Sequence, residues 1–426
     1  MKVFKFGGAS VKDAMAVRNV SVILNNFGKE PLLVVVSAMG KTTNALEKVV
    51  DDWYNNPALL DEDIRTIENY HNGITSELFT DPGSPVFQRL QNWFTELRSL
   101  TCIPPSGNFD RDYDQVVSLG ELISTTIVHE FLQSEKRDTE WLDVRNLIRT
   151  DDTWREGKVD WSTSASLIRR AIMPELDHKD SNTVFLTQGF LGSTSNTETT
   201  TLGREGSDYT AAIFSYALDA EEMIIWKDVP GLLNADPKYF SKTEKLAAIS
   251  FREAMELSYY GATIIHPKTI KPLQNKDIPL LIRSFVEPEA EGTIIHQNTS
   301  SDSLIPSFIF KVDQVLISIS PRDFSFIDEQ NLSEILAVFA ETNVHIHLMQ
   351  NTALSFSVCV DNNERRLKQL FKELEKKYKI RYNTNLELIT IRHYDQATID
   401  RVMEDGKSIL LEMRSRVTAQ FVVKNL

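Results

Sequence analysis

Residues 1–10 read M-K-V-F-K-F-G-G-A-S, and residues 31–37 read P-L-L-V-V-V-S. A short apolar strand carrying Val3, Phe4 and Phe6 breaks into Gly7-Gly8, and alternation puts Lys5 on the face opposite Phe4 and Phe6. Residues 12–27 place Val17, Val20, Ile23 and Leu24 at helical spacing. The continuous apolar run at 32–36 then suits a strand covered on both faces. Strand, helix, strand in this order predicts a parallel βαβ unit with a right-handed crossover. The turn after the first strand also has a chemistry. Paired glycines let a backbone approach a ligand closely, and a helix start aims free N–H groups outward. With a lysine beside them they suit a phosphate. Read alone, the same residues are equally an ordinary strand-to-turn with a surface lysine.

The chain has 426 residues, enough for two or three domains, and its 42% hydrophobic and 25% charged content is that of an ordinary globular protein. The formal net charge of −14 argues against a general binder of nucleic acid or anionic membrane, which needs a basic face. No apolar run approaches the length needed to cross a bilayer, and the N-terminus goes straight into a strand. The two cysteines, Cys102 and Cys359, lie far apart, which fits a reducing compartment without a disulfide framework. The expectation is a cytoplasmic protein.

Residues 41–100 read as mostly helical, 102–114 as a loop and 115–132 as helix. Short apolar strands are expected at 183–186 and 223–226. A long polar loop (189–208) and a helix (209–218) lie between them. Repeated strand–loop–helix units predict an open, mostly parallel α/β sheet with ligands at the carboxyl ends of its strands. Composition shifts over 297–306, Q-N-T-S-S-D-S-L-I-P. Beyond it, strands at 312–320, 344–349, 354–360 and 386–393 and helices at 332–342 and 367–378 follow the β-α-β-β-α-β order of a ferredoxin-like unit. The expected division is a three-layer αβα domain over 1–297, a linker over 298–310, one βαββαβ module over 311–385 and a second, abbreviated one over 386–426.

Gly40-Lys41-Thr42 is not a P-loop, because Val35 stands where that motif needs a glycine. Ser37, Thr42, Thr43 and Asn44 instead make a hydroxyl-rich turn that can donate to a carboxylate or phosphate, or cap the next helix. In V-S-L-G-E-L-I-S (117–124) Glu121 is the lone acid. If buried it needs a partner, and a ligand ammonium would serve; a solvent-facing glutamate is the plain alternative. T-L-G-R-E-G-S-D (201–208) gathers glycines, Arg204 and Asp208 just before a helix. Arg204 offers a planar fork matched to a carboxylate or phosphate, while Ser207 or Asp208 is placed to cap. W-K-D-V-P-G-L-L-N-A-D-P-K (226–238) adds Lys227, Asp228, Asp236 and Lys238 after another buried strand. Lysines and acids at two strand ends suit a magnesium nucleotide. His266-Pro267-Lys268 reads as structural, and the eight histidines show no H-x-x-x-H spacing.

In this order the chain resembles the aspartate kinases of the amino-acid kinase superfamily. The resemblance is carried by K-F-G-G-A-S, V-V-S-A-M-G-K-T-T-N, V-S-L-G-E-L-I-S, T-L-G-R-E-G-S-D-Y-T-A, D-V-P-G-L-L-N-A-D-P and G-A-T-I-I-H-P-K-T. It implies transfer of the γ-phosphoryl group of ATP to the side-chain carboxylate of L-aspartate, giving 4-phospho-L-aspartate on the way to lysine, threonine and methionine. It assigns catalysis to Lys5 and Asp208, and aspartate binding to Ser37, Thr43 and Arg204, with Glu121 on the ammonium. It assigns the nucleotide to Gly7, Gly8, Ser10, Lys227, Asp228, Leu233 and Lys238, with Mg2+ held through phosphates and water. It further implies ACT-like C-terminal modules, a homodimer paired through them, and an amino-acid effector. A sister kinase for another carboxylate and a non-catalytic amino-acid sensor stand as alternatives.

The sequence departs from the family at five places. Glu205 replaces a glycine, Leu233 an aromatic and Thr263 a lysine. His347 stands where an aspartate recognises the effector's amino group. The first helix of the first module begins Glu329-Gln330-Asn331-Leu332 rather than Gly-Phe-Leu. These departures predict lysine inhibition that is weak, absent or replaced by another effector.

Overall fold

The computed structural model describes residues 1–28, 30–176, 183–240, 242–262, 265–323, 325–403 and 406–425. The chain divides into two compact units. The first comprises Met1–Leu232, Ala247–Ala254 and Ile264–Thr299; the second comprises Leu233–Leu246, Met255–Thr263 and Ser300–Leu426.

An eight-stranded sheet organises the first unit. Its strands are β1 (Lys2–Phe6), β2 (Leu32–Val36), β3 (Thr139–Leu142), β4 (Val184–Gln188), β5 (Met223–Lys227), β6 (Ala248–Ser250), β7 (Leu280–Ser284) and β8 (Thr293–His296). They lie in the order β6-β8-β7-β5-β1-β2-β4-β3, and only β7 and β8 run antiparallel. All residues of β2 and β4 are buried, as their apolar runs require. Phe4 and Phe6 meet the fully buried Trp226 of β5, edge-on at 5.7 Å and stacked at 6.2 Å. Because β1, β2, β4 and β5 are parallel, the turns that follow them share one edge of the sheet.

The helix Ala14–Phe27 starts where the Asp13 side chain accepts from Ala16 N, and it buries Val17, Val20, Ile23 and Leu24. Two segments differ from the sequence reading. The 102–114 loop ends early, because the Asn108 side chain accepts from Arg111 N and opens the helix Phe109–Val117. The 189–208 loop contains a hairpin, Leu191–Ser193 paired with Thr199–Thr201, and its helix begins at Gly206. Asp208 therefore sits inside the first helical turn and caps nothing.

The second unit is built on one antiparallel six-stranded sheet. Its strands are β9 (Ser307–Pro321), β10 (Ile346–Asn351), β11 (Phe356–Asp361), β12 (Tyr378–Arg392), β13 (Lys407–Arg414) and β14 (Thr418–Asn425), in the order β10-β11-β9-β12-β14-β13. β9 and β12 are 15 residues each and pair along their length, with register shifts around Gln314. Each strand thereby serves two halves of the sheet. From Gln314 onward, β9, Glu329–Glu341, β10, β11, Glu364–Leu374 and the start of β12 form a β-α-β-β-α-β unit, but its sixth strand is residues 378–382 rather than the expected 386–393, which belongs to the other half of the sheet. Val315, Ile317, Ile335, Phe339, Val358 and Leu370 make the unit's core.

The other half joins the end of β12 to the helix Gln396–Met403, β13 and β14. Here residues 307–310, read as linker, are strand: Phe308 pairs with Ile391 and Phe310 with Ile389. The abbreviated module takes its missing strand from upstream of the first module. Its core of Phe308, Ile389, Ile391, Ile399 and Phe421 is closed by Ala235 and Phe240, so a distant segment covers apolar surface that its own chain leaves open. Among the described residues, no helix is long and apolar enough to cross a membrane.

Candidate active site

At the shared edge of the first unit's sheet lies a cavity of about 720 Å³. Lys5, Ser37, Thr43, Glu121, Arg204, Asp208 and Lys227, singled out from sequence, all line it.

Lys5 Nζ lies 2.7 Å from Asp208 Oδ1, and both residues are buried. Burial by itself raises the Asp208 carboxyl, but the charges of Lys5 and then Lys227 outweigh it and hold the group below its ordinary value. Asp208 is thus an anion that fixes the Lys5 ammonium. The glycines beside Lys5 differ. A Cβ on Gly8 would sit 2.8 Å from Ala38 O and 2.9 Å from Gly40 O, while one on Gly7 would meet only Lys5 Nζ at 3.4 Å. Gly8 O also accepts from Gly40 N at 3.0 Å, so the turns after β1 and β2 are laced together. Ser10 Oγ donates to Trp226 O at 3.3 Å. That buried hydroxyl ties the first turn to β5 and does not line the cavity.

Glu121 is 3% exposed on the helix Leu119–Ser134. Its Oε1 accepts weakly from Ala38 N at 3.4 Å, and its Oε2 is buried with no hydrogen-bond partner among the described residues. Burial, only partly offset by the Ala38 N–H, pushes its pKa up to about 8. The preceding Gly120 permits this close approach, since a Cβ there would already touch Ala38 Cβ at 3.2 Å and Thr42 Cγ2 at 3.3 Å.

Arg204 is exposed at the cavity wall and makes no ion pair among the described residues. Its neighbour Glu205 adopts a left-handed backbone, φ 54°, and its carboxylate accepts from His266 N at 2.8 Å. The extra acid is therefore engaged with the start of the helix Pro267–Asn275. There His266 Nδ1 accepts from Lys268 N at 3.1 Å, which makes His266 a helix cap. Burial, opposed by Glu205, keeps this imidazole below its ordinary pKa.

Several lining residues carried no sequence signal, among them Glu47, Tyr113, Arg155, Glu156 and Phe190. The Arg155 guanidinium lies 4.2 Å from the centre of the Tyr113 ring, and Tyr113 OH donates to Glu47 Oε1 at 2.6 Å. Asp114, its pKa pushed up to about 6 by burial, accepts from Arg155 N at 3.0 Å and from Thr201 Oγ1 at 2.7 Å. These residues sit in D-Y-D (112–114) and W-R-E (154–156), which match no phosphate or metal pattern.

Of the remaining assigned residues, Asp228 is exposed and does not line the cavity. Leu233 and Lys238 belong to the second unit. Thr263 lies outside the described residues.

The amino acid kinase family matches residues 1–284. Lysine-sensitive aspartokinase 3 of Escherichia coli (strain K12) is 31% identical over 362 residues, covering 84% of this chain and 78% of that protein. Aspartokinase 1, chloroplastic, of Arabidopsis thaliana is 30% identical over 392 residues, covering 88% of this chain and 67% of its own length. Among solved structures, E. coli aspartokinase III in complex with aspartate and ADP, in the R-state, aligns with a TM-score of 0.83 at 27% identity, covering 100% of this chain and 96% of that one. The same enzyme with lysine and aspartate, in the T-state, aligns with a TM-score of 0.81 at 27% identity and the same coverage. With a family match over residues 1–284 and relatives aligned through both units, the chain belongs to the amino acid kinase family, among its aspartokinases.

Proposed function

We infer that this chain transfers the γ-phosphoryl group of ATP to the side-chain carboxylate of L-aspartate, giving 4-phospho-L-aspartate. The observation that carries this reading is one cavity holding both the buried Lys5–Asp208 pair and a buried, half-satisfied Glu121. The first is a charge for phosphoryl oxygens. The second is a carboxylate that an α-ammonium would complete.

The acceptor carboxylate is ionised at neutral pH, so no general base is needed. Catalysis is positioning and charge neutralisation. Lys5 follows the group in transit, and Asp208 keeps the ammonium oriented. Gly7 and Gly8 present backbone N–H groups to the β- and γ-phosphates, with Lys227 across the cavity. Arg204 grips a carboxylate as a fork, and Ser37 and Thr43 add hydroxyl donors. Binding of the ammonium draws Glu121 into its anionic form. Assignment of Ser10, Asp228, Leu233 and Lys238 to the nucleotide rests on the family resemblance; Ser10 acts through the turn it anchors. Mg2+ arrives with the nucleotide and supplies charge neutralisation when bound. Among the described residues, no cluster of three or more His, Cys, Asp or Glu is placed to hold it apart from the phosphates.

The second unit we read as the ACT-like regulatory half, paired with a second copy as a homodimer. β10 supports this, since it is an edge strand with one side unpaired within the sheet. Light scattering at micromolar concentration tests it, and a monomer would defeat it. An amino-acid effector is part of the same reading. The unpaired cysteines, Cys102 and Cys359, fit a cytoplasmic protein.

The deciding experiment is ATP-dependent acyl-hydroxamate formation with L-aspartate, L-glutamate and N-acetylglutamate, in the wild type and in Lys5→Ala. Activity with aspartate that is lost in the variant is expected. A wild type inactive with aspartate would sink the assignment, and full activity in Lys5→Ala would sink the role of Lys5.

A further inference from the structure

A second cavity, of about 240 Å³, lies wholly within the second unit. Tyr259, Tyr260, Lys311, His345, His347 and Gln420 line it, and none of them takes part in the kinase site. Lys311 stands on β9 just before its register shift, and the backbone of Gly261, at φ 108°, packs against its stem.

The Lys311 ammonium is half-buried and has no carboxylate within ion-pair distance among the described residues. What it meets is the imidazole of His347, at 3.3 Å from Nδ1 and 3.4 Å from Nε2. His347 Nε2 is in turn 2.9 Å from Asp361 Oδ2, and the other Asp361 oxygen accepts from Gln314 Nε2 at 2.9 Å. Asp361 fixes the orientation of this ring through Nε2, and the Lys311 ammonium lies almost equally far from both ring nitrogens. Apart from this ring, the N–H donors of Lys311 meet no hydrogen-bond partner among the described residues.

Burial lowers the Lys311 pKa, and the charge of Asp361 offsets this only in part. Asp361 makes no direct ion pair with the Lys311 ammonium, its two oxygens lying against His347 Nε2 and Gln314 Nε2. The rest of the lining is rich in donors: the Tyr259 and Tyr260 phenols, the exposed His345 imidazole, and Gln420, which also donates to Thr390 Oγ1 at 3.2 Å. A cation with unused donors, ringed by neutral donor groups in a small cavity, is matched to a compact anion.

We propose that this cavity binds a small oxyanion, the carboxylate or phosphate group of a metabolite, with Lys311 as its main partner. The full chain is followed by hydrogen–deuterium exchange with inorganic phosphate alone and with succinate alone. Saturating ADP and aspartate keep the kinase site filled throughout. Added protection at residues 257–262, 311–314 and 345–348 is expected. The anion that produces it distinguishes a phosphate-bearing from a carboxylate-bearing ligand. Lys311→Met should weaken the effect about tenfold or more and Lys311→Arg should largely restore it. His345→Ala, at an exposed position, should weaken it without threatening the fold. The proposal is overturned if neither anion protects these segments, or if Lys311→Met responds as the wild type does.

Discussion

Lys5 and Asp208 stand 2.7 Å apart in the kinase cavity, one on the central strand and the other in the first turn of the helix Gly206–Ala217. Removing Lys5 leaves Asp208 buried with only the weaker Lys227 charge acting on it, and removing Asp208 takes from the buried Lys5 ammonium its carboxylate. Lys5→Ala should therefore lower stability by about 3–5 kcal/mol and turnover by at least about 100-fold. The loss should depend on pH. A depressed carboxyl adds stability above its unfolded pKa and loses it as pH falls through the folded value. Without Lys5 that depression shrinks. Urea denaturation from pH 3 to neutrality should show wild type and variant diverging as pH rises through the ordinary carboxylate range.

Glu121 has the opposite sign. Its folded pKa, about 8, lies above the ordinary value of 4.5, so the folded state holds a proton that the unfolded chain releases. Stability is full below the ordinary value and falls as pH rises towards 8, by at most about 1.4 kcal/mol per pH unit. Glu121→Gln removes that fall, so thermal denaturation of the unliganded variant between pH 6 and 9 should show a growing advantage over wild type. The same variant should bind aspartate about tenfold or more weakly. It should also lose the wild type's gain in aspartate affinity as pH approaches 8.

Gly7 and Gly8 are neighbours with different tolerance. Gly8→Ala drives a Cβ against two backbone oxygens, of Ala38 and Gly40, neither of which is the end of a flexible side chain. Gly7→Ala meets only the tip of Lys5. Calorimetry should show a substantial loss of melting temperature for Gly8→Ala alone, and steady-state kinetics a raised KM for ATP.

Glu205 combines a left-handed backbone with a hydrogen bond to His266 N. Glu205→Gly loses the bond and relieves the backbone, effects of about 1 kcal/mol each that oppose. Glu205→Ala loses the bond without relief. Denaturant titrations should place Gly near wild type and Ala about 1–2 kcal/mol below it. Both should lower KM for aspartate, because a carboxylate beside Arg204 has gone.

Lysine recognition is the fourth departure. His347 is already held by Asp361, and Asp328 and Asn331 close a capping box at the start of the helix Glu329–Glu341. Kinase assays with millimolar lysine, threonine and methionine should find little inhibition by lysine alone. Strong inhibition by lysine would refute this.

The sheet was legible where apolar runs and glycine turns punctuate it, as at Leu32 and Gly7. Lys5, Glu121, Arg204 and Asp208 stood out as charges beside glycines or apolar residues, but their roles came from the family resemblance, since Lys5, Glu121 and Asp208 each also had a plain structural reading. Tyr113 and Arg155 did not stand out, because their roles arise from a helix and a loop that touch only after folding. The strand at 307–310 was missed for a related reason. Its Ser-Phe-Ile-Phe is short, follows a polar stretch, and finds its partner at 389–392. Sequence periodicity cannot reveal a pairing across an inserted module.

That inserted module imposes an order on synthesis. Residues 314–382 hold every strand of the first βαββαβ unit, which can close while the ribosome is still adding the C-terminus. The segment 307–311 must wait, an exposed apolar edge, until 388–392 emerges, and β14 must then arrive to cover β12 on its far side. Chains cut short before residue 418 would keep a finished first module beside an open sheet edge, the form most exposed to aggregation or proteolysis. The last eight strand residues thus decide whether a nascent chain persists.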